Sequence, residues 1–188
     1  MLQLSNPEKF GIWNALLHGD ADATWVFMPW EGVEAEQKNI ELNAFKLGDY
    51  GIPYGYSPLL LSHEEFLEEN PDSVALFLEI SARGHEFVDS NPEGAAAYLC
   101  EHEHHANFYD YKFIKKSLEG MQGKWLNSKG WGYMDKKVWD DFTNWLLTNK
   151  VLCDIEGEHL EALKSDMVNY YTNSFLKKSA LINKPNLV

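Results

Sequence analysis

Trp30 and Glu31 stand side by side in the short run Met28-Pro29-Trp30-Glu31-Gly32. Together they offer a broad π face and a carboxylate. A flat heteroaromatic ligand carrying an exocyclic amine or a protonated ring nitrogen needs both. Ring stacking adds about 0.5–1.5 kcal/mol beyond area burial, and the carboxylate accepts from the N–H. The competing reading makes Trp30 a core residue and Glu31 an ordinary first-turn acid favoured by the helix dipole. A second constellation lies in Gly48–Pro58, where three glycines, two prolines and three tyrosines fall in eleven residues. Tyr50, Tyr54 and Tyr56 present rings with hydroxyl ends, a combination suited to a small polar aromatic ligand in a cleft. The alternative is a tightly packed crossover loop whose tyrosines seal a helix end.

Other chemistry-bearing residues read as structural. Glu101-His102-Glu103-His104-His105 has metal-ligand residue types, but Ala106-Asn107 after it suggests a solvated helix end with histidines near the helix C-terminus. No metal or cofactor is expected, and no catalytic residue is assigned. Trp139 and Trp145 sit at core helical spacing, whereas Trp131, flanked by Gly130 and Gly132, is free to approach another surface as a lid or interface residue. Cys100 and Cys153 have no metal or redox spacing and read as packed thiols. His18, His63, His85 and His159 are isolated histidines of the surface or a satisfied core. The chain carries no Ser-His-Asp order, nucleophile elbow, phosphate loop or dinucleotide fingerprint.

These residues need elements to hold them. Asn6-Pro7-Glu8 starts a helix with apolar spacing through Leu17, ended by Gly19-Asp20. Thr24–Phe27 reads as a buried strand whose carboxyl end, where α/β proteins place their ligands, is the Met28–Glu31 turn. Gly32–Lys38 reads as a short helix, Leu42–Leu47 as a half-buried strand and Leu59–Leu61 as an apolar strand. Ser62-x-x-Glu65 is a capping pattern for a helix over 63–69. Helices then follow over 72–90, from Asn91-Pro92 through Cys100, over 108–121, from Asp135 through Leu147, and from Glu158 to about Met167. The sum is a helical layer packed on a sheet.

Composition narrows the function. A hydrophobic content of 45% and a wealth of aromatic residues exclude a disordered chain. A net charge of −13 sets nucleic acid and anionic membranes aside as partners. No apolar run approaches the ~18 residues of a membrane span, so no membrane insertion is expected. Met1–Phe10 lacks the basic start and apolar centre of an export signal. At face value this describes a soluble chain that is not exported.

The segments GDADATWVFMPWEG, GDYGIPYGYSPLLLSHEEFLEENPDSVALFLEISARGHEFVDSNPEGAA, GWGYMDKKVWDDFTNWL and NYYTNSFL resemble the second half of the thiamine-pyrimidine family. That family joins bacterial ABC-transporter solute-binding proteins for thiamine pyrimidine precursors to fungal and plant 4-amino-5-hydroxymethylpyrimidine phosphate synthases. The resemblance implies an α/β fold: the C-terminal half of a type II periplasmic-binding-protein-like fold, with helices on a small mixed sheet. Residues 1–52 would be the remainder of the second lobe, 53–176 the return crossing and the helical C-terminal part of the first lobe, and 177–188 a tail. Trp30, Glu31, Tyr54 and Tyr56 would be this chain's ligand contacts. An ABC permease would be the partner, and the compartment periplasmic or extracytoplasmic, any signal preceding a first lobe. Apolar surface meant for that lobe would be bare and favour a homodimer or a strand swap. The synthases carry closely spaced cysteines where this chain has Tyr50–Tyr56, which favours a non-enzymatic binder over a synthase. Nitrate, sulfonate or taurine uptake is disfavoured by Glu31, since such anions call for Arg, Lys or backbone amides. A remnant without ligand is the last alternative.

Overall fold

The computed structural model describes residues 13–162 and 170–176. The chain divides into two compact units. The first holds Met1–Asn43 with Val88–Gln122, and the second Ala44–Phe87 with Gly123–Val188.

In the first unit α1, Trp13–His18, closes on Gly19, whose φ of 77° is the left-handed conformation that a side chain resists. The start expected at Asn6-Pro7 lies outside the described residues. An extended stretch leads to a π turn, Met28–Gly32, which runs directly into α2, Val33–Gln37. The unit resumes with α5, Pro92–His102, and α6, Tyr111–Met121. Both begin as their sequences dictate. Asn91 Oδ1 accepts from Gly94 N at 3.0 Å with Pro92 in the first turn, and Asp110 Oδ1 accepts from Phe113 N at 3.0 Å. The small residues Ala95 and Ala96 let α6 lie close to α5. Val33, Ala96, Phe113 and Ile114 form the buried cluster, with Trp30, Leu99, Cys100, Phe108 and Leu118 packed against it. At the rim, Lys115 bonds Glu93 at 2.8 Å and holds its carboxyl below the usual carboxylate range, while Lys116 pairs with Glu36.

In the second unit α3, Glu64–Glu69, is separated by Asn70 alone from α4, Pro71–Ser90, whose last turn passes into the first unit. The expected capping pattern does not form. His63 is the N-cap residue without a side-chain bond, and Ser62 Oγ turns to His63 O at 3.4 Å. Helix α7, Lys136–Thr148, is capped by Asp135, whose Oδ1 accepts from Lys137 N at 3.0 Å. That bond, with Lys129 beside it, holds the Asp135 carboxyl low. Residues 123–133 form turns and irregular backbone with one isolated bridge, Asn127 with Gly130. The helix expected from Glu158 is not one: residues 158–162 belong to a hairpin and turn, and 163–167 lie outside the described residues.

The α/β reading is overturned. Thr24–Phe27, Leu42–Leu47 and Leu59–Leu61, each read as a strand, join no β ladder among the described residues, where β contacts are limited to the isolated bridges Asn127 with Gly130 and Cys153 with His159. A strand exists only as part of a ladder. Apolar alternation marks a segment able to pair but supplies no partner for its N–H and C=O groups. The small mixed sheet under the helices, and with it the half of a type II periplasmic-binding-like fold, is therefore corrected to a helical arrangement with extended connections. The apolar faces meant for a sheet are open: Leu61 is 91% exposed, Phe45 74%, and Leu76, Phe77 and Ile80 of the α4 stripe 55–59%. No helix among the described residues is long and apolar enough to cross a membrane.

Ile114→Ala should lower the unfolding free energy by about 2–5 kcal/mol and Asp110→Ala by about 1 kcal/mol, read from urea midpoints. Ser62→Ala, at a capping box that does not form, should change it by less than about 0.5 kcal/mol.

Candidate functional site

The Met28–Glu31 turn belongs to the first unit. Pro29, with no N–H to lose, occupies the first turn of the π helix, where Phe27 O accepts from Trp30 N at 2.8 Å. Phe27 N in turn donates to Glu31 Oε2 at 2.8 Å. The acid reaches back to the start of its own turn, as a capping-box glutamate does. Trp30 is half-buried, its ring edge-on to Phe113 with centroids 4.7 Å apart and planes at 84°. Gly32 lets the Met28 side chain fold over the turn, since a Cβ there would meet Met28 Cε at 2.9 Å. So both readings of Trp30 and Glu31 have material support. The indole packs on the core and is not wholly covered. The carboxylate caps its turn through one oxygen, and with about four lone-pair sites it can accept further bonds.

Tyr54 and Tyr56 belong to the second unit. Their loop lies along one face of α7, on residues Asp135, Trp139 and Phe142, spaced four and three apart as one helix face requires. The Tyr54 ring meets Phe142 edge-on at 5.5 Å, and the Tyr56 ring lies 6.2 Å from Trp139. Asp135 N donates to Tyr56 Oη at 2.7 Å, so the phenol closes one of the amides at the start of α7. Between them Gly55 permits the approach, since a Cβ would stand 2.9 Å from Phe142 Cδ1. Tyr54 stays 44% exposed. The sealing role weighed for these tyrosines is thus what Tyr56 performs.

Two neighbours of Tyr56 were not legible as a group. Tyr171 stacks on Trp139 at 5.4 Å with planes at 11°, and burial raises its phenol pKa. Asn173 brackets the backbone of Met134, accepting from its N at 2.9 Å and donating to its O at 2.8 Å. The partners are 39 residues apart, and no local pattern announces such a contact. Trp131, read as a lid or interface residue, stacks on His85 at 4.6 Å. The Trp125 ring also lies 5.1 Å from His85, whose Nδ1 is 2.8 Å from Ser81 O. His102 stacks on Tyr98 at 4.0 Å. Among the described residues no group of three or more His, Cys, Asp and Glu side chains is placed to hold a metal ion.

Tyr56→Phe should cost about 1 kcal/mol by removing the acceptor from Asp135 N. Gly55→Ala should cost about 1–3 kcal/mol by pressing the loop against a ring that cannot yield. Thermal unfolding followed by circular dichroism checks both.

Residues 4–95 match the family model described as NMT1/THI5 like. The formylaminopyrimidine-binding protein of Halalkalibacterium halodurans is 26% identical over 140 residues, which is 73% of this chain and 42% of the relative. The chain therefore spans less than half the length of that curated relative. The family-model match takes in the Gly19–Gly32 segment and the chain from Gly48 to Ala95, and the chain is similar to NMT1/THI5-like proteins and to this formylaminopyrimidine-binding protein.

Proposed function

We propose that this chain is a solute-binding protein, or part of one, for an aminopyrimidine precursor of thiamine, and that it acts by binding and not by catalysis. The observation that carries the reading is the Trp30–Glu31 turn, which lies within the family match and sets an indole next to a carboxylate already oriented by its bond to Phe27 N. The ring gives a planar base a surface. The carboxylate accepts from its exocyclic amine and neutralises a protonated ring nitrogen. Tyr54 and Tyr56 are proposed as contacts to be tested in their own right, Tyr54 through its exposed ring and Tyr56 through the proton its hydroxyl still has to donate.

The remaining parts of the reading follow from the kinship. The bound pyrimidine would pass to an ABC permease, in an extracytoplasmic compartment. The open apolar face of α4 at Leu76, Phe77 and Ile80 supports pairing with a second copy.

Thermal-shift titration with a formylaminopyrimidine, the corresponding free aminopyrimidine and taurine tests the proposal, on samples whose mass in solution is measured in parallel. A pyrimidine at ~100 times its dissociation constant should add about 2.7 kcal/mol, at about 2–4 °C per kcal/mol for a chain of this size. Glu31→Gln should abolish the shift while leaving the free protein's midpoint nearly unchanged, because the amide oxygen still accepts from Phe27 N. A shift with taurine and none with either pyrimidine would overturn the assignment.

A further inference from the structure

We propose that Cys153 and His159 form a reactive thiol–imidazole pair that undergoes exchange with small disulfides of neutral or positive charge. The two residues face each other across a seven-residue hairpin. Asp154 N donates to Glu158 O at 2.9 Å on one side of the pair, and Leu160 N to Leu152 O at 3.0 Å on the other. Cys153 and His159 thus occupy the non-hydrogen-bonded position of an antiparallel ladder, where opposed side chains come closest. Their contact is Cys153 Sγ to His159 Nδ1 at 3.3 Å, with Val151 O a second, more distant neighbour of the sulfur at 3.9 Å.

The turn that imposes this register is itself well fixed. Asp154 Oδ1 accepts from both Glu156 N and Glu158 N, at 3.0 and 2.9 Å. Gly157 N closes on Asp154 O at 3.1 Å, and its φ of 86° is a conformation that glycine takes without strain. Both members of the pair are exposed, so a reagent can reach the sulfur. Cys100 differs on each count, being half-buried against the Val33–Ile114 cluster.

A nucleophilic sulfur with a base at hydrogen-bond distance is the arrangement that activates cysteine. His159 Nδ1 takes the thiol proton as Cys153 Sγ attacks one sulfur of the disulfide. The disulfide's S–S bond breaks, a new S–S bond joins its attacked half to Cys153, and the departing thiolate takes the proton from the imidazolium. One disulfide is consumed and one formed, so no further oxidant is needed. The charge around the pair selects the reagent. Asp154, Glu156, Glu158 and Glu161 lie within eight residues of Cys153, in a chain of net charge −13, and they attract a cationic disulfide and repel an acidic one.

The test reacts the full chain with cystamine, which is cationic, and with dithiodipropionate, which is anionic, and follows mixed-disulfide formation by intact mass and peptide mapping. Modification should fall on Cys153, proceed faster with cystamine, and slow about tenfold or more in His159→Gln. Glu156→Gln with Glu158→Gln should narrow the preference between the reagents. Added imidazole should restore the rate of His159→Gly, a rescue that a purely structural histidine would not show. Far-UV circular dichroism and urea midpoints confirm that each variant is folded. Modification falling on Cys100 at the greater rate, or His159→Gln and His159→Gly both reacting as fast as the natural chain, would overturn the pair. Equal rates with the two disulfides would overturn the assigned reagent class.

Discussion

The first unit depends on one contact, that of Phe113 and Ile114 on α6 with Ala96 on α5 and Val33 at the head of α2. Three segments distant in sequence meet there, and each owes its position to it. Ala96 is small, so the helix axes approach. Val33 is the first residue after the π turn, so burying it fixes the direction in which that turn leaves. Trp30, three residues earlier, then falls edge-on to Phe113. The geometry of the Met28–Gly32 turn is in this sense a by-product of helix packing. Loops on rigid supports hold functional groups more reliably than loops held by their own bonds.

The second unit solves the same problem differently. Its loop at Tyr54–Tyr56 is held by an edge-on ring contact, a phenol that closes a helix-start amide, and a glycine that removes the obstacle between them. Each supplies one kind of term: apolar area, a satisfied buried donor, and the absence of a clash. Asn173 repeats the second term on the next peptide, with both halves of its amide engaged by Met134.

What the sequence made legible was whatever a few neighbouring residues decide. Asn91-Pro92, Asn70-Pro71, Gly19 and Asp135 mark helix boundaries because the groups that satisfy the end are within four residues of it. Glu31 bonding to Phe27 N is of the same local kind. The strands failed for the opposite reason: Thr24–Phe27 and Leu59–Leu61 have the composition of strands, and composition says nothing of a partner. Tyr56 and Asp135 are 79 residues apart, so the hydroxyl's role was open in the sequence and closed only by the fold. Cys153 and His159 are different again. Asp154 and Gly157 are ordinary turn signals three residues apart, yet the helix read from Glu158 took in the second arm of a hairpin that sets the two side chains face to face.

Glu31 shows how a structural bond can leave a group open to the binding role proposed for it. A glutamate free to rotate would lose side-chain entropy on meeting a ligand and would weaken the encounter by that amount. Here the bond from Phe27 N removes that freedom before any ligand arrives, and it does so at one oxygen only. On the proposed reading, a cation or amine approaching the other oxygen meets a carboxylate that is already oriented. The same bond limits the site, because a ligand that drew the carboxylate away would leave the Phe27 N–H unsatisfied, at a cost of about 1–3 kcal/mol if water is excluded. On the proposed reading the ligands selected are those whose donor reaches Glu31 where it stands, a condition on shape that a planar amine resting on Trp30 meets and a bulky or anionic solute does not.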